Sequence, residues 1–524
     1  MKGLNAFLLT RNVLLKLGHR ASLLGLACLI GAFAQAQGAG SSLFPQSLPI
    51  PPVLKPTSVT GGTVNYDLTA HTGLTSFFQD HATPTYGYNG MSYLGPTIRL
   101  RRGRRARITL HNSLPADGPV PVPMSMNGTA LDHPGAPNGT SLHLHGLVVA
   151  SEADTTPSDC CMPLLPSQSR ASAVFAPDQP SATLWYHPHP YMDTGRQVYM
   201  GLGGLLLVED PADARFKLPH AYGVDDLPII VQDRRFGSDR SLLFRDRKED
   251  EEGMLGNRIL VNGVIAPHAD VAATRIRLRL VNASNARAYL FAFRDGRSFD
   301  QIATDGGLLP APLKVEEVMI PPAGRAEIVV DLSHDAGKAL HLVSNGFQAP
   351  AGRSSLSLPN GANFPVMEFR VGPPKTSPRL PLRFANWPVP DESRATVART
   401  FDLEKGGDED AAGGDDTING KRFDNTRIDE RVKAGAWEVW TVINHSREIA
   451  HPFHVHGIQF RVLKRNSGPL APNDQGWKDT VNVLPRETVR LLLHFNKQAG
   501  VYMYHCHNLE HEDMGMMGTY VVEP

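Results

Sequence analysis

The chain has 524 residues, 52 of them basic and 52 acidic, so its formal net charge is zero. That balance argues against a nucleic-acid partner and against an anionic membrane surface, both of which favour a basic face. With 41% hydrophobic residues, Gly 48 and Pro 42, the composition is that of a large, turn-rich globular protein with an ample core.

At the N-terminus, Lys2, Arg11, Lys16 and Arg20 precede an apolar run from Ala21 to Ala34, and Ala34-Gln35-Ala36 offers a small-residue cleavage site. Residues 1–36 therefore read as a secretory signal peptide. The run is short for a membrane span, and no later segment is expected to span. The leader has no adjacent arginine pair, so Sec-type export is expected, with metal loaded outside the cytoplasm in a periplasmic or secreted protein. Cys28, preceded by Gly-Leu-Ala, makes a poor lipid-attachment site. Beyond the leader lie Cys160, Cys161 and Cys506, and an odd cysteine in an exported protein flags one thiol with another job. Cys506 is the candidate; Cys160 and Cys161 either form a vicinal disulfide or stay reduced.

Strand texture runs through the rest. Ala106-Arg-Ile-Thr-Leu-His111, Thr274-Arg-Ile-Arg-Leu-Arg-Leu-Val281 and Glu438-Val-Trp-Thr-Val-Ile443 are short runs with alternating or β-branched patterning. Asn89-Gly90, Asn262-Gly263, Asp305-Gly306 and Asn419-Gly420 mark turns between such runs. Amphipathic helices are scarce, which predicts packed antiparallel sheets in sandwiches. Arg240–Glu252 and the Gly-rich acidic stretch Glu404–Asp416 read as exposed loops.

Marking the histidines exposes an internal repeat. His143-Leu-His145-Gly146 is echoed by His454-Val-His456-Gly457, and His187-Pro-His189 by His505-Cys506-His507. Random placement of 21 histidines would give about one His-x-His pair; four are present. The simplest reading is two related domains at the ends with a metal-free domain between them. Boundaries are expected near 217 and 377, where Lys217-Leu-Pro219 and Pro373-Pro-Lys-Thr-Ser-Pro378 interrupt the strand texture.

In a strand, residues i and i+2 share a face, so each pair offers two imidazoles to one site. Four pairs give eight nitrogen donors, too many for one metal and suited to a cluster of three. The same alternation turns Cys506 away from His505 and His507. With His451, His511 and Met516 it completes a separate mononuclear site, whose two imidazoles, thiolate and distant thioether are the ligands of a blue copper centre. One tripeptide would thus join two metal sites through bonds. A zinc hydrolase has no use for a His-Cys-His peptide with an axial Met, and a two-domain nitrite reductase would not need four His-x-His pairs.

His143-Leu-His-Gly, Trp185-Tyr-His-Pro-His, His451-Pro-Phe-His-Val-His-Gly and His505-Cys-His with His511 and Met516 together resemble a three-domain multicopper oxidase, of the laccase and bacterial copper-tolerance group. Ile302-Ala-Thr-Asp-Gly-Gly-Leu-Leu-Pro310 and Gly476-Trp-Lys-Asp-Thr480 also look like the bacterial branch. The resemblance implies an all-β fold of three cupredoxin-like Greek-key β-sandwich domains, at 37–217, 218–377 and 378–524. It implies four copper ions. His451, Cys506, His511 and axial Met516 would hold the type 1 ion, and His143 and His454 the type 2 ion. His145, His187, His189, His456, His505 and His507 would hold the type 3 pair.

The implied activity is one-electron oxidation of a small donor coupled to four-electron reduction of O2 to water. Glu512 and Asp154 would be the acids that deliver protons, or else a helix cap and an orienting carboxylate. After Asp154 the sequence Thr155-Thr-Pro-Ser-Asp-Cys-Cys161 departs from the Gly-rich continuation usual in the family. A cell-division relative of the same fold has lost its coppers, whereas here no family ligand is missing. Only Met367 falls between Met319 and His451, so a thioether-rich insert of the kind found in cuprous oxidases is absent. A broad laccase-like oxidase of phenols is expected, with cuprous ion a subsidiary donor, Met514 more a packing residue than a ligand, and the protein a monomer. The alternatives are a copper-binding protein without turnover and an envelope structural protein.

Overall fold

The computed structural model describes residues 43–115, 139–154, 169–171, 174–190, 192–244, 253–348, 358–384, 390–404, 416–495 and 498–524. The leader, Cys160 and Cys161, and most of the two expected loops (245–252 and 405–415) lie outside these residues.

The strands form where the sequence patterning places them. Ala106–Asn112, Arg275–Asn282 and Trp437–Asn444 are all strands. In the first, Ala106, Ile108, Leu110 and Asn112 are buried and Arg107, Thr109 and His111 between them are more open, as alternation dictates. The middle strand is buried almost throughout, as in a strand covered on both faces. At Asn262-Gly263 and Asn419-Gly420 both residues take positive φ. This is the backbone of the two-residue hairpin turn whose twist matches the flanking strands. Asn262-Gly263 joins Arg258–Val261 to Val264–Ile265 in such a hairpin.

Apart from Gln46–Ser47, which pairs with Pro267–Ala273, the sheets of Gln46–Pro524 fall in three consecutive stretches of chain. In the first, Thr63–Phe78 anchors one sheet, and Ile98–Arg101, Gly204–Glu209 and Ala182–Tyr186 make a second. In the next, two larger sheets are built around Phe364–Pro374 and Arg275–Asn282. In the last, one sheet is centred on Trp437–Asn444 and Thr488–His494. Its companion runs Glu430–Lys433, Met517–Glu523, Gly500–Cys506, His451–Val455, Thr480–Val483. Each stretch has its own large apolar cluster, led by residues such as Trp185, Phe369 and Trp440.

The expectation of antiparallel sheets holds for most neighbouring strands and is corrected for the rest. Thr63–Phe78 runs parallel to Ala106–Asn112, Pro267–Ala273 to Phe364–Pro374, and Val397–Glu404 to Trp437–Asn444. Alternation reports which face of a strand is buried, not the direction of its neighbour. Sheets that pair strands distant in sequence can therefore mix both directions without leaving a trace in the pattern.

Helices are few and short among the described residues. Thr194–Met200 and Leu509–Asp513 are the two α-helices, and they pack together. Both Oδ atoms of Asp513 accept backbone N–H bonds, from Thr194 and Gly195, each at 2.9 Å. No described helix is long and apolar enough to cross a membrane.

Candidate metal centre

The eight paired histidines are buried and face one another. His454 ends on the strand His451–Val455 and His505 on Gly500–Cys506, which pair antiparallel with these two residues opposite. The pairs from the first stretch sit differently. His143 and His187 form an isolated antiparallel bridge, His145 lies in the turn that follows, and His189 lies in irregular chain. His456 and His507 sit just past the ends of their strands, so strands hold His454 and His505, the bridge holds His143 and His187, and the chain that leaves them brings in the other four. The two halves interleave: His143 stacks on His456 and His145 on His454, each with ring centroids 3.9 Å apart.

Within this cavity the donor atoms fall into trios, all mutually within 4.8 Å. His145, His187 and His507 make one, His189, His456 and His505 a second, and His143, His145 and His454 a third. Four of the rings are held from behind through Nδ1. Asp154 Oδ1 lies 2.6 Å from His143 Nδ1, and Oδ2 lies 3.1 Å from His456 Nδ1. His187 Nδ1 is 2.8 Å from the Pro188 carbonyl and His454 Nδ1 2.8 Å from that of Asp479. These partners are acceptors only, so the ring nitrogens donate and the opposite Nε2 atoms carry lone pairs.

The cavity fits metal ions. Nε2 of His143, His187 and His454, Nδ1 of His145 and both ring nitrogens of His507 are buried with no hydrogen-bond partner. So many orphaned polar atoms in one place would be costly without a ligand. Burial lowers the pKa of His187 to about 4 and of His189 to about 3, so both imidazoles are neutral donors at neutral pH.

A second centre lies across the peptide. Cys506 Sγ is 3.4 Å from His451 Nδ1 and 3.7 Å from His511 Nδ1, and those two nitrogens are 3.2 Å apart. His511 is carried on Leu509–Asp513, whose N-cap is Asn508. Met516 is fully buried in the same apolar cluster as Cys506. Its main chain clamps the site, with Cys506 N–H donating to Met516 O and Met516 N–H to His511 O. Burial pushes the Cys506 thiol well above its ordinary value, so a bound cation is what would make it a thiolate. Two imidazoles, a thiolate and a thioether suit copper. Met514 is half-buried at the end of the same helix.

Both acids singled out in the sequence are here. Glu512 is buried between His505 and His189, with Oε2 3.2 Å from His505 Nδ1 and Oε1 3.4 Å from His189 Nε2. Asp154 bridges a stacked pair of imidazoles, with one oxygen on each ring. Sequence reasoning missed Asp479, which lies 3.1 Å from His145 Nε2 and is paired with the buried Arg325. Its only signal was its place in Gly476-Trp-Lys-Asp-Thr480, a motif with no evident link to the histidines.

The glycines of the repeated motif also acquire a reason. Gly146 has φ +82°, and a Cβ there would come within 2.5 Å of Arg325 Nη2 and Asp479 Oδ2. Gly457 has φ +69° and would place a Cβ 2.5 Å from the Tyr502 ring. Replacing Gly146 by Ala is expected to cost about 1–3 kcal/mol, the range for a strained backbone or an overpacked core. Denaturant unfolding of the copper-free protein measures it, and an unchanged midpoint would contradict the packing described.

The pattern for multicopper oxidases matches residues 133–213 and 392–524, the stretches that hold the eight paired histidines and Cys506. Multicopper oxidase mco of Staphylococcus haemolyticus is 35% identical over 487 residues, 92% of each chain. The chain belongs to the multicopper oxidase family. It is an oxidase whose chemistry is copper-dependent oxidation, on cupredoxin-like β domains. The crystal structure of a laccase from Pediococcus acidilactici superposes with a TM-score of 0.76 at 33% identity, covering 93% of this chain and 95% of that one. Cell division protein FtsP of Xenorhabdus nematophila is 34% identical over 515 residues, 95% of this chain and 97% of that protein.

Proposed function

We propose that this multicopper oxidase couples one-electron oxidation of phenols or similar small donors, with cuprous ion as a subsidiary donor, to reduction of O2 to water. The observation that carries the reading is the His505-Cys506-His507 tripeptide. Its sulfur faces the His451–His511 pair while its two imidazoles enter the eight-histidine cavity. Copper, four ions in all, would supply donor oxidation at the first centre and O2 reduction at the second.

His451, Cys506, His511 and Met516 hold the first ion, His143 and His454 the second. The trios His145–His187–His507 and His189–His456–His505 hold the remaining pair. The protein's part is to keep these imidazoles neutral, fix their ring orientation and exclude water. Glu512 is the acid that brings protons to the cavity, with Asp154 contributing while it orients His143 and His456. Among the described residues Met367 is buried in the core of the middle stretch, which supports phenols over a thioether route for cuprous ion. Residues 1–36 direct export. The mature chain acts outside the cytoplasm as a monomer of three domains, 37–217, 218–377 and 378–524.

The test is O2 uptake by copper-reconstituted protein, with copper counted per chain, first with a phenolic donor and then with cuprous ion. Uptake with the phenol and without peroxide release is expected. Uptake with cuprous ion alone would move the role to copper detoxification. The similarity to FtsP favours one competing reading, a protein without turnover. Copper-loaded protein that consumes no O2 with either donor would establish that reading instead.

A further inference from the structure

The cavity contains one arrangement that the proposed reaction does not use. His143 and His456 are held by the two oxygens of a single side chain, Asp154. The other stacked pair, His145 and His454, is also held by one residue, but through different atoms. The Asp479 main-chain carbonyl lies 2.8 Å from His454 Nδ1, while its side-chain Oδ1 lies 3.1 Å from His145 Nε2. The two rings are thus gripped at opposite nitrogens. His454 is left with Nε2 free, and His145 with Nδ1 free.

The side chain of Asp479 is itself fixed. Arg325 binds it with both terminal nitrogens, Nη1 to Oδ1 at 2.7 Å and Nη2 to Oδ2 at 2.5 Å, and the Thr480 hydroxyl donates to Oδ1 at 2.9 Å. Arg325 is anchored in turn. Its Nε donates to the Thr183 carbonyl, its main-chain N–H to Asp305 Oδ1 at 2.7 Å, and Lys478 Nζ pairs with Asp305 Oδ2 at 2.9 Å. All four charged side chains are buried. Ile302–Pro310 and Gly476–Thr480, two segments far apart in sequence, therefore meet in one ion network behind His145. Further bonds join them directly, from the Thr304 hydroxyl and Gly306 N–H to the Trp477 carbonyl.

We infer that Asp479 is a positioning residue of the cluster, whose carboxylate holds His145 in the Nε2–H tautomer so that Nδ1 faces the metal. The inference rests on the ligand reading above. An ionised carboxylate offers only acceptors, so the nitrogen facing it must carry the proton. An amide cannot replace it. With its oxygen toward His145, Asn at 479 would point its NH2 at the Arg325 guanidinium, donor against donor. Flipped, it would point NH2 at His145 Nε2 and drive the proton to Nδ1, where the metal lone pair is needed. The middle stretch of the chain, which supplies no ligand, thereby acts on the cluster through Arg325.

The test compares wild type, Asp479→Asn and Phe369→Leu, each reconstituted with copper and titrated with a chelator. Bound copper per chain, blue absorbance and EPR-detectable copper are followed. For Asp479→Asn we expect about 10–100-fold weaker retention of cluster copper and more EPR-detectable copper, with blue absorbance unchanged. Phe369→Leu, in the apolar core of the middle stretch, touches neither ligand nor ion network and is expected to lower the unfolding midpoint while keeping wild-type copper retention. Asp479→Asn with wild-type retention and EPR would overturn the inference, as would an equal copper loss in both variants. A wild-type chain that loads no copper removes the ligand reading and this inference with it.

Should Asp479→Asn not fold, 15N NMR of histidine-labelled, copper-free wild type reads the tautomer directly, with His145→Gln for assignment. Nε2–H on His145 is expected, and Nδ1–H would overturn the inference.

Discussion

Cys506→Ser should abolish the blue colour and lower donor-driven O2 uptake by more than the ~100-fold typical of losing an outer-shell partner, while the eight-histidine cluster keeps its copper. The expectation follows from the two faces of one strand end. His505 and His507 enter the cavity with ring centroids 5.5 Å apart, whereas Cys506 lies in an apolar cluster with Phe453, Tyr504 and Met516. Serine keeps the size of the side chain but not the soft sulfur that selects copper. It also puts a hydroxyl into an apolar site, at a cost of about 1–3 kcal/mol. Copper analysis should show one ion fewer per chain, and denaturant unfolding of the copper-free protein should show the modest loss. Retained blue absorbance, or O2 uptake near the wild-type rate, would remove Cys506 from the electron route.

The candidate ligands were legible because each lies in a short motif. His143, His145, His187, His189, His454, His456, His505 and His507 announce themselves as pairs at a spacing rare by chance, and His451, His511 and Met516 sit close to them in sequence. What the pairs do locally was only half legible. His454 and His505 sit on strands and His143 and His187 on an isolated bridge, but His145, His189, His456 and His507 reach the cavity from the chain beyond them. The direction of several rings was not legible, since those of His143, His145, His454 and His456 depend on acceptors elsewhere in the chain. His145 is reversed relative to His454 because Asp479, remote from His145 in sequence, takes its Nε2. The pairing of Asp479 with Arg325 left no local mark either, because a buried ion network has no periodicity. The same holds for Asp513, whose carboxylate meets the N–H groups of Thr194 and Gly195 at the other end of the chain. Parallel strand pairs escaped for the related reason that burial patterns carry no direction.

Asp154→Asn is the other substitution with a large expected effect. The carboxylate accepts from Nδ1 of His143 at 2.6 Å and of His456 at 3.1 Å, while the two rings stack at 3.9 Å. Both imidazoles must therefore donate outward and present Nε2 inward; His456 Nε2 lies 3.1 Å from His505 Nε2. An amide has one acceptor and one donor, so only one of the two rings can keep its bond. The shorter contact to His143 should win the oxygen. His456 would then face an NH2 group, which demands the opposite tautomer and removes its inward lone pair. Cluster copper should be held about 10–100-fold more weakly, while blue absorbance, set by His451, Cys506 and His511, stays. Chelator titration followed at both signals measures this, and an unchanged cluster affinity would contradict the clamp. Excess copper then separates the two roles of Asp154. If it only orients, reloading the variant restores O2 uptake. If it also carries protons, the reloaded variant stays slow and its rate depends more steeply on solvent deuteration than that of the wild type.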